Sequence, residues 1–177
     1  MTEKEGKTCI LLTADARYSE VDEDRKLSLT GVINYMQDCS TFQSEDLNMG
    51  IDYLAEKHRA WLLSSWQIVV DRYPKLGERI VVSTWPYDFK GIYGYRNFTI
   101  QDPEGSYLVR ANSNWFFFDT GARCSCACWR RRYPGVWRGT GKKLLWTMRR
   151  EKFCFRMSMR NFRPLRWRHT TLIPTTM

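Results

Sequence analysis

Acidic side chains all but vanish from the last third of this 177-residue sequence. Between Thr120 and Met177 there is no aspartate and one glutamate, Glu151, beside 15 Lys and Arg. Residues 1 to 119 carry 13 Lys and Arg against 18 Asp and Glu, so a front segment of charge −5 precedes a back segment of +14, and the total of +9 describes neither. A break of that size marks a boundary, with one folding unit over 1–119 and a basic tail, rich in Cys, Arg and Trp, over 120–177. Long apolar runs are also missing. No span reaches about 18 apolar residues, which excludes a membrane-crossing helix. The opening MTEKEGKTCILLTADARYSE has a three-residue apolar run between acidic flanks, which fits neither a secretory leader nor an Arg-rich transit peptide. The cytoplasm is the expected location, and the six cysteines are expected there as thiols instead of a disulfide framework.

What is present in the front segment has a clear period. Cys9 to Tyr18 reads as a short strand, and Glu20-Val-Asp-Glu-Asp24 places acids ahead of a helix, where they suit the positive end of its dipole. Ser28 is the expected N-cap. Leu29, Val32, Ile33 and Met36 follow at the spacing of one helical face, with Tyr35, Cys39 and Phe42 as a second apolar stripe, so this helix is expected to be wrapped by other structure. A short helix over Ile51 to His58 leads to four strand-like runs: Trp61 to Tyr73, Glu78 to Tyr87, Tyr93 to Gln101 and Tyr107 to Asp119. Turn chemistry separates them at Pro74 to Gly77, Asp88 to Gly91 and Asp102 to Gly105, which favours antiparallel neighbours. Counting by twos puts Leu62, Trp66, Ile68 and Val70 on one side, and Tyr107, Val109, Ala111, Trp115 and Phe117 on one side of the last strand. Strand, long buried helix and four-stranded meander give an α+β architecture. It is the hotdog arrangement, an antiparallel sheet curled around a central helix, since a parallel sheet would need crossover helices between strands.

The words within those elements carry a resemblance. "YSEVDEDRKLSLTGVINYMQDCSTFQSEDLNMGIDYL", "RAWLLSSWQIVVDRYPKLGERIVVSTWPYDFKGIYGYRNFTI" and "LVRANSNWFFFD" resemble the N-terminal hotdog domain of bacterial acyl-acyl carrier protein thioesterases, relatives of the plant plastid enzymes. The likeness runs over about residues 9 to 120, with Trp61 opening a strand and the Thr84-Trp-Pro86 run among its specific words. It implies an enzyme of two hotdog domains that hydrolyses the thioester of acyl-acyl carrier protein and releases a fatty acid. The first domain supplies much of the acyl pocket and the second an Asp-x-Asn-x-His constellation. That chemistry needs an apolar channel, donors facing the thioester carbonyl and groups that deprotonate water. Leu29, Val32, Ile33, Met36 and Trp66 are the candidate channel residues, with packing in an ordinary core as the alternative. The catalytic motif is absent in this frame, so no catalytic residue is assigned and little hydrolysis is expected of this chain alone. The implied partner is an acidic carrier protein, for which Arg59, Arg72, Lys75 and Arg79 are candidate contacts. No cofactor is implied. His58, at a helix end, reads as a surface or dipole residue. The alternative function is a non-catalytic hotdog that binds acyl groups or forms a homodimer.

The basic tail admits three readings. Cys124, Cys126 and Cys128 with Cys154 or His169 would offer soft metal ligands, but C-x-C-x-C lacks the C-x2-C knuckle spacing, so no metal is expected. Aromatic residues interleaved with cations suit RNA, yet no recognised module is present and nucleic acid is not the expected partner. The third reading is a lost reading frame. Thr170 to Met177 can be encoded so that starting two bases in gives HLDTNHH, an Asp-x-Asn-x-His motif. In the same frame Leu145 to Phe153 admits MDYAPRKI, and upstream of Lys142-Lys143 the remaining frame turns Arg132 to Arg138 into DIRAYG. Ordered matches on both sides of an A-rich run make the tail an out-of-frame translation of the linker and the start of the second hotdog domain. With no period of 2 or 3.6, little order is expected in it.

Overall fold

The computed structural model describes residues 10–125 and the backbone of Lys152–Arg156. Strand β1 (Ile10–Asp15) is followed by a short 3-10 turn at Tyr18–Glu20, helix α1 (Leu29–Asp46) and helix α2 (Ile51–Glu56). Strands β2 (Arg59–Val70), β3 (Arg79–Lys90), β4 (Tyr93–Gln101) and β5 (Tyr107–Asp119) complete the meander. Two short strands follow, β6 (Cys124–Ser125) and β7 (Lys152–Arg156). The pairings described are all antiparallel and the sheet order is β1-β3-β4-β5-β2-β7, with β6 on the end of β5. The sheet wraps α1, as the hotdog arrangement requires.

Ser28 caps α1 as expected, its Oγ accepting from the Gly31 N–H at 3.0 Å. Buried on α1 are Val32, Tyr35, Met36, Cys39 and Gln43, whereas Phe42 is 49% exposed. The second stripe therefore ends on Gln43, which continues the Met36 and Cys39 spacing, and not on Phe42. None of the acids at 22 to 24 lies in the first turn of α1. Asp22 Oδ1 instead accepts from the backbone of Asp24 (3.1 Å) and Lys26 (3.0 Å), closing a tight turn through Arg25 at φ 58°. Gly31 is required by a close approach: a Cβ there would lie 2.7 Å from the Glu20 carbonyl oxygen.

Curvature comes from two bulges at one level. Ser64 in β2 and Tyr87 in β3 are each an extra residue against the partner strand, and they flank the central β4–β5 pair between Arg96 and Gly94. Such insertions bend a strand and increase its twist. Ser64 also reverses the alternation of β2. Leu62 pairs with Phe116, away from the Trp66 side, and Leu63 and Trp61 take the inward positions, opposite Trp115 and Phe117. A third bulge at Leu108 turns that residue inward and leaves Tyr107 47% exposed, although both Leu62 and Tyr107 had inward parity by counting.

Most of the basic tail, including Cys126, Cys128 and His169, lies outside the described residues. Within it, Lys152–Arg156 runs antiparallel to the outer edge of β2, from Val69↔Lys152 to Ser65↔Arg156. A strand edge offers unpaired N–H and C=O groups to any extended segment, so this pairing needs no periodic pattern in the segment that supplies it.

Candidate acyl-binding site

The register lines the inner face of the sheet with rows of side chains running across the strands. The first row is Val82, Ile100, Val109 and Val70, and the second is Thr84, Phe98, Ala111 and Ile68. The third is Pro86, Arg96, Ser113 and Trp66. Beyond the bulges come Phe89, Gly94, Trp115 and Leu63, and then Phe117 with Trp61. Successive rows are about 7 Å apart along the strands.

Helix α1 lies over the first rows. Val32 and Met36 are fully buried and Trp66 is 2% exposed, all within one cluster with Tyr35, Cys39, Ile68, Phe98 and Ile100. Leu29 and Ile33 are half-buried and pack on the margin of that cluster. The five residues picked out by spacing are thus brought together, three inside and two at the edge. Tyr35 fastens the helix to β1, its hydroxyl donating to the Asp15 carbonyl at 2.8 Å, and burial pushes its ionisation upward. Cys39 donates its thiol hydrogen to the Val82 carbonyl at 3.6 Å.

The far rows belong to a second cluster under α2. Met49 and Phe117 are buried there, with Tyr53, Leu54, Trp61 and Phe89 half-buried around them. Trp61 lies 4.7 Å from Phe117 and 6.1 Å from Phe89, ring centre to ring centre. Gly94 makes room for this packing, since a Cβ there would meet Phe89 at 2.8 Å and Trp61 at 3.2 Å.

Between the clusters runs a polar row that periodicity did not single out. Arg96 points inward: its guanidinium donates to Gln43 Oε1 on α1 and to Thr84 Oγ1 at 3.1 Å. Thr84 in turn donates to the Asn97 carbonyl at 3.0 Å, and Trp115 Nε1 donates to Ser113 Oγ at 2.6 Å. The signal was present in the sequence: Arg96 shares the parity of Phe98 and Ile100, and Gln43 that of Met36 and Cys39. A charge at an inward position needs hydrogen-bond partners, and Gln43 and Thr84 supply them here.

Three of the four cations expected to meet a carrier protein are engaged within the chain. Arg59 pairs with Asp119 at 2.6 Å, Arg72 makes two bonds to Glu78 at 2.8 and 2.7 Å, and Arg79 reaches Asp15 at 3.1 Å. The Ala122 N–H, with Arg59 and the Gly121 N–H, holds the Asp119 carboxyl below its usual range, and Arg72 does the same for Glu78. His58 is exposed just past α2, with φ 53°. No described helix is long and apolar enough to cross a membrane.

A long helix over the apolar face of a curled antiparallel sheet is the hotdog arrangement, and the comparisons say which family carries it here. Residues 13–128 match the N-terminal domain of the acyl-ACP thioesterases. The chain belongs to the acyl-ACP thioesterase family. A chloroplastic acyl-[acyl-carrier-protein] hydrolase of Cuphea viscosissima is 26% identical over 114 residues, covering 60% of this chain and 27% of that relative. Among solved structures, an acyl-ACP thioesterase from Bacteroides thetaiotaomicron superposes with a TM-score of 0.64 at 26% identity, over 68% of this chain and 49% of its own. The 12:0-ACP thioesterase from Umbellularia californica superposes with a TM-score of 0.63 at 20% identity, over 80% and 61%. This acyl-ACP thioesterase chain spans about a quarter of the length of the curated plant relatives it matches.

Proposed function

We propose that this chain is the acyl-holding half of an enzyme that hydrolyses the thioester of acyl-acyl carrier protein and releases a free fatty acid. Leu29, Val32, Ile33 and Met36 on α1, with Trp66 facing them, hold the acyl tail, and the carrier protein delivers it. The observation that supports this most is the coincidence of the family match with the apolar face of α1 over the sheet. Hydrolysis belongs to an Asp-x-Asn-x-His motif in a second hotdog half, and the chain as written contains no such motif. The basic segment from Thr120 onward is then the linker and the start of that half read out of frame; the family match ends at 128, close to the change in charge. No cofactor takes part, and the cytoplasmic location expected from the sequence stands as part of this proposal.

Resequencing the coding DNA and expressing the frame-restored chain tests the reading. The restored protein is expected to release fatty acid from acyl-acyl carrier protein. A verified, uninterrupted frame through Met177 in expressed protein, or a restored chain without turnover, would overturn it. A second reading, an acyl-binding module that self-pairs as a homodimer, draws on the accessibility of the β2 edge, which in this chain accepts β7. It predicts acyl binding by a dimer with no turnover even in the restored frame.

A further inference from the structure

We infer that the polar row across the inner sheet face is a seat for an oxygen carried along the acyl chain, so that this half favours hydroxylated acyl groups over plain saturated ones. The inference rests on the acyl-binding reading above and deepens it. Arg96 in that row and Trp115 in the row beside it both have acceptors, on Gln43, Thr84 and Ser113. The Trp66 indole N–H, in a side chain 2% exposed, meets no acceptor among the described residues. A buried donor left unmatched is costly, and natural cores seldom retain one without a role.

The position of the donor says what would satisfy it. Trp66 sits opposite Ser113, and Ser113 opposite Arg96, so indole, hydroxyl and guanidinium share one line across three strands, about 10 Å from end to end. The indole packs on Phe98, 5.0 Å away, on one side of that line, and on Trp115, 6.4 Å away, on the other. Rows that are apolar but for Thr84 continue in both directions, so a chain seated along the strands would meet apolar side chains, then this line of polar groups, then apolar side chains again. A thioester head must reach the carrier protein outside and does not suit the middle of such a track. A hydroxyl part-way along the chain does: its oxygen accepts from Trp66, and its hydrogen reaches Ser113.

The test uses the full 177-residue protein labelled with 15N at tryptophan. The probes are N-acetylcysteamine thioesters of dodecanoic acid and of dodecanoic acids hydroxylated at carbon 3 or carbon 8. The indole signal of Trp66, assigned through its proximity to the Phe98 ring, is expected to move downfield with at least one hydroxylated probe and to stay in place with the saturated one. That hydroxylated probe is expected to bind about tenfold more tightly, as one additional hydrogen bond allows. In Trp66→Phe, which lacks the indole donor, the tenfold advantage of the hydroxylated probe over the saturated one should vanish, whatever the variant does to the affinity for both. The inference is overturned if the saturated thioester moves the Trp66 signal as far as the hydroxylated probes do, or if all bind equally. If no acyl probe binds, the acyl-binding reading itself has failed. The spectra of the unsubstituted protein decide this even if the variant does not fold.

Discussion

The two ends of the inner sheet face are both apolar, one aliphatic and one aromatic, and they are closed in different ways. Over the valine-rich rows lies an 18-residue helix fixed at its N-cap and by Tyr35, and the residues beneath it are sealed from water. Over the aromatic rows lies α2, six residues long, with Ile51 65% exposed and most of its cluster only half-buried. Sealing makes the first end the structural anchor of the fold. The second end has a shorter roof, and most of the side chains beneath it stay half-buried.

That contrast is broken most directly by cavity formation. Met36→Ala is expected to destabilise by about 3 kcal/mol, against about 1 kcal/mol for half-buried Leu54→Ala on α2, measured by denaturant unfolding. Equal losses would erase the distinction. Gly31→Ala comes next, at about 2 kcal/mol, because the new methyl collides with the Glu20 backbone although alanine favours helix. A neutral result would show that the turn before α1 yields easily. Ser28→Ala is expected to lose about 1 kcal/mol through the N-cap alone.

The smallest effect is a pH dependence at the aromatic end, where Arg59 and Asp119 close the β2–β5 pair. The folded state lowers the affinity of Asp119 for its proton, so the stability it adds is present above the ordinary carboxylate range, near about pH 4, and is lost as pH falls through the lower folded value. Glu78 acts in the same direction at the other end. In melting temperatures recorded from neutral to acid pH, Asp119→Asn should flatten part of the acid loss. An unchanged profile would remove Asp119 from the account.

Period and turn chemistry carried the fold a long way. The Ser28 cap, the Val32 and Met36 face and the four antiparallel strands follow from residue spacing alone. What spacing could not show was parity after a bulge, because one extra residue at Ser64 or Leu108 exchanges inside for outside. Nor could it show that Arg96 and Gln43 meet between helix and sheet, since that contact joins positions 53 apart in the chain. Arg59, Arg72 and Arg79 are the converse case. As scattered cations they read as available for a partner, and each has a carboxylate that only the fold brings near.

The most direct measurement is to incubate the 177-residue protein with acyl-acyl carrier protein and follow both complex formation and free fatty acid. Saturable binding of the acyl group without release above a control lacking the protein is the predicted result. Fatty acid released by this chain, or no acyl binding at all, would contradict the view that it holds the chain and leaves the chemistry to a second half.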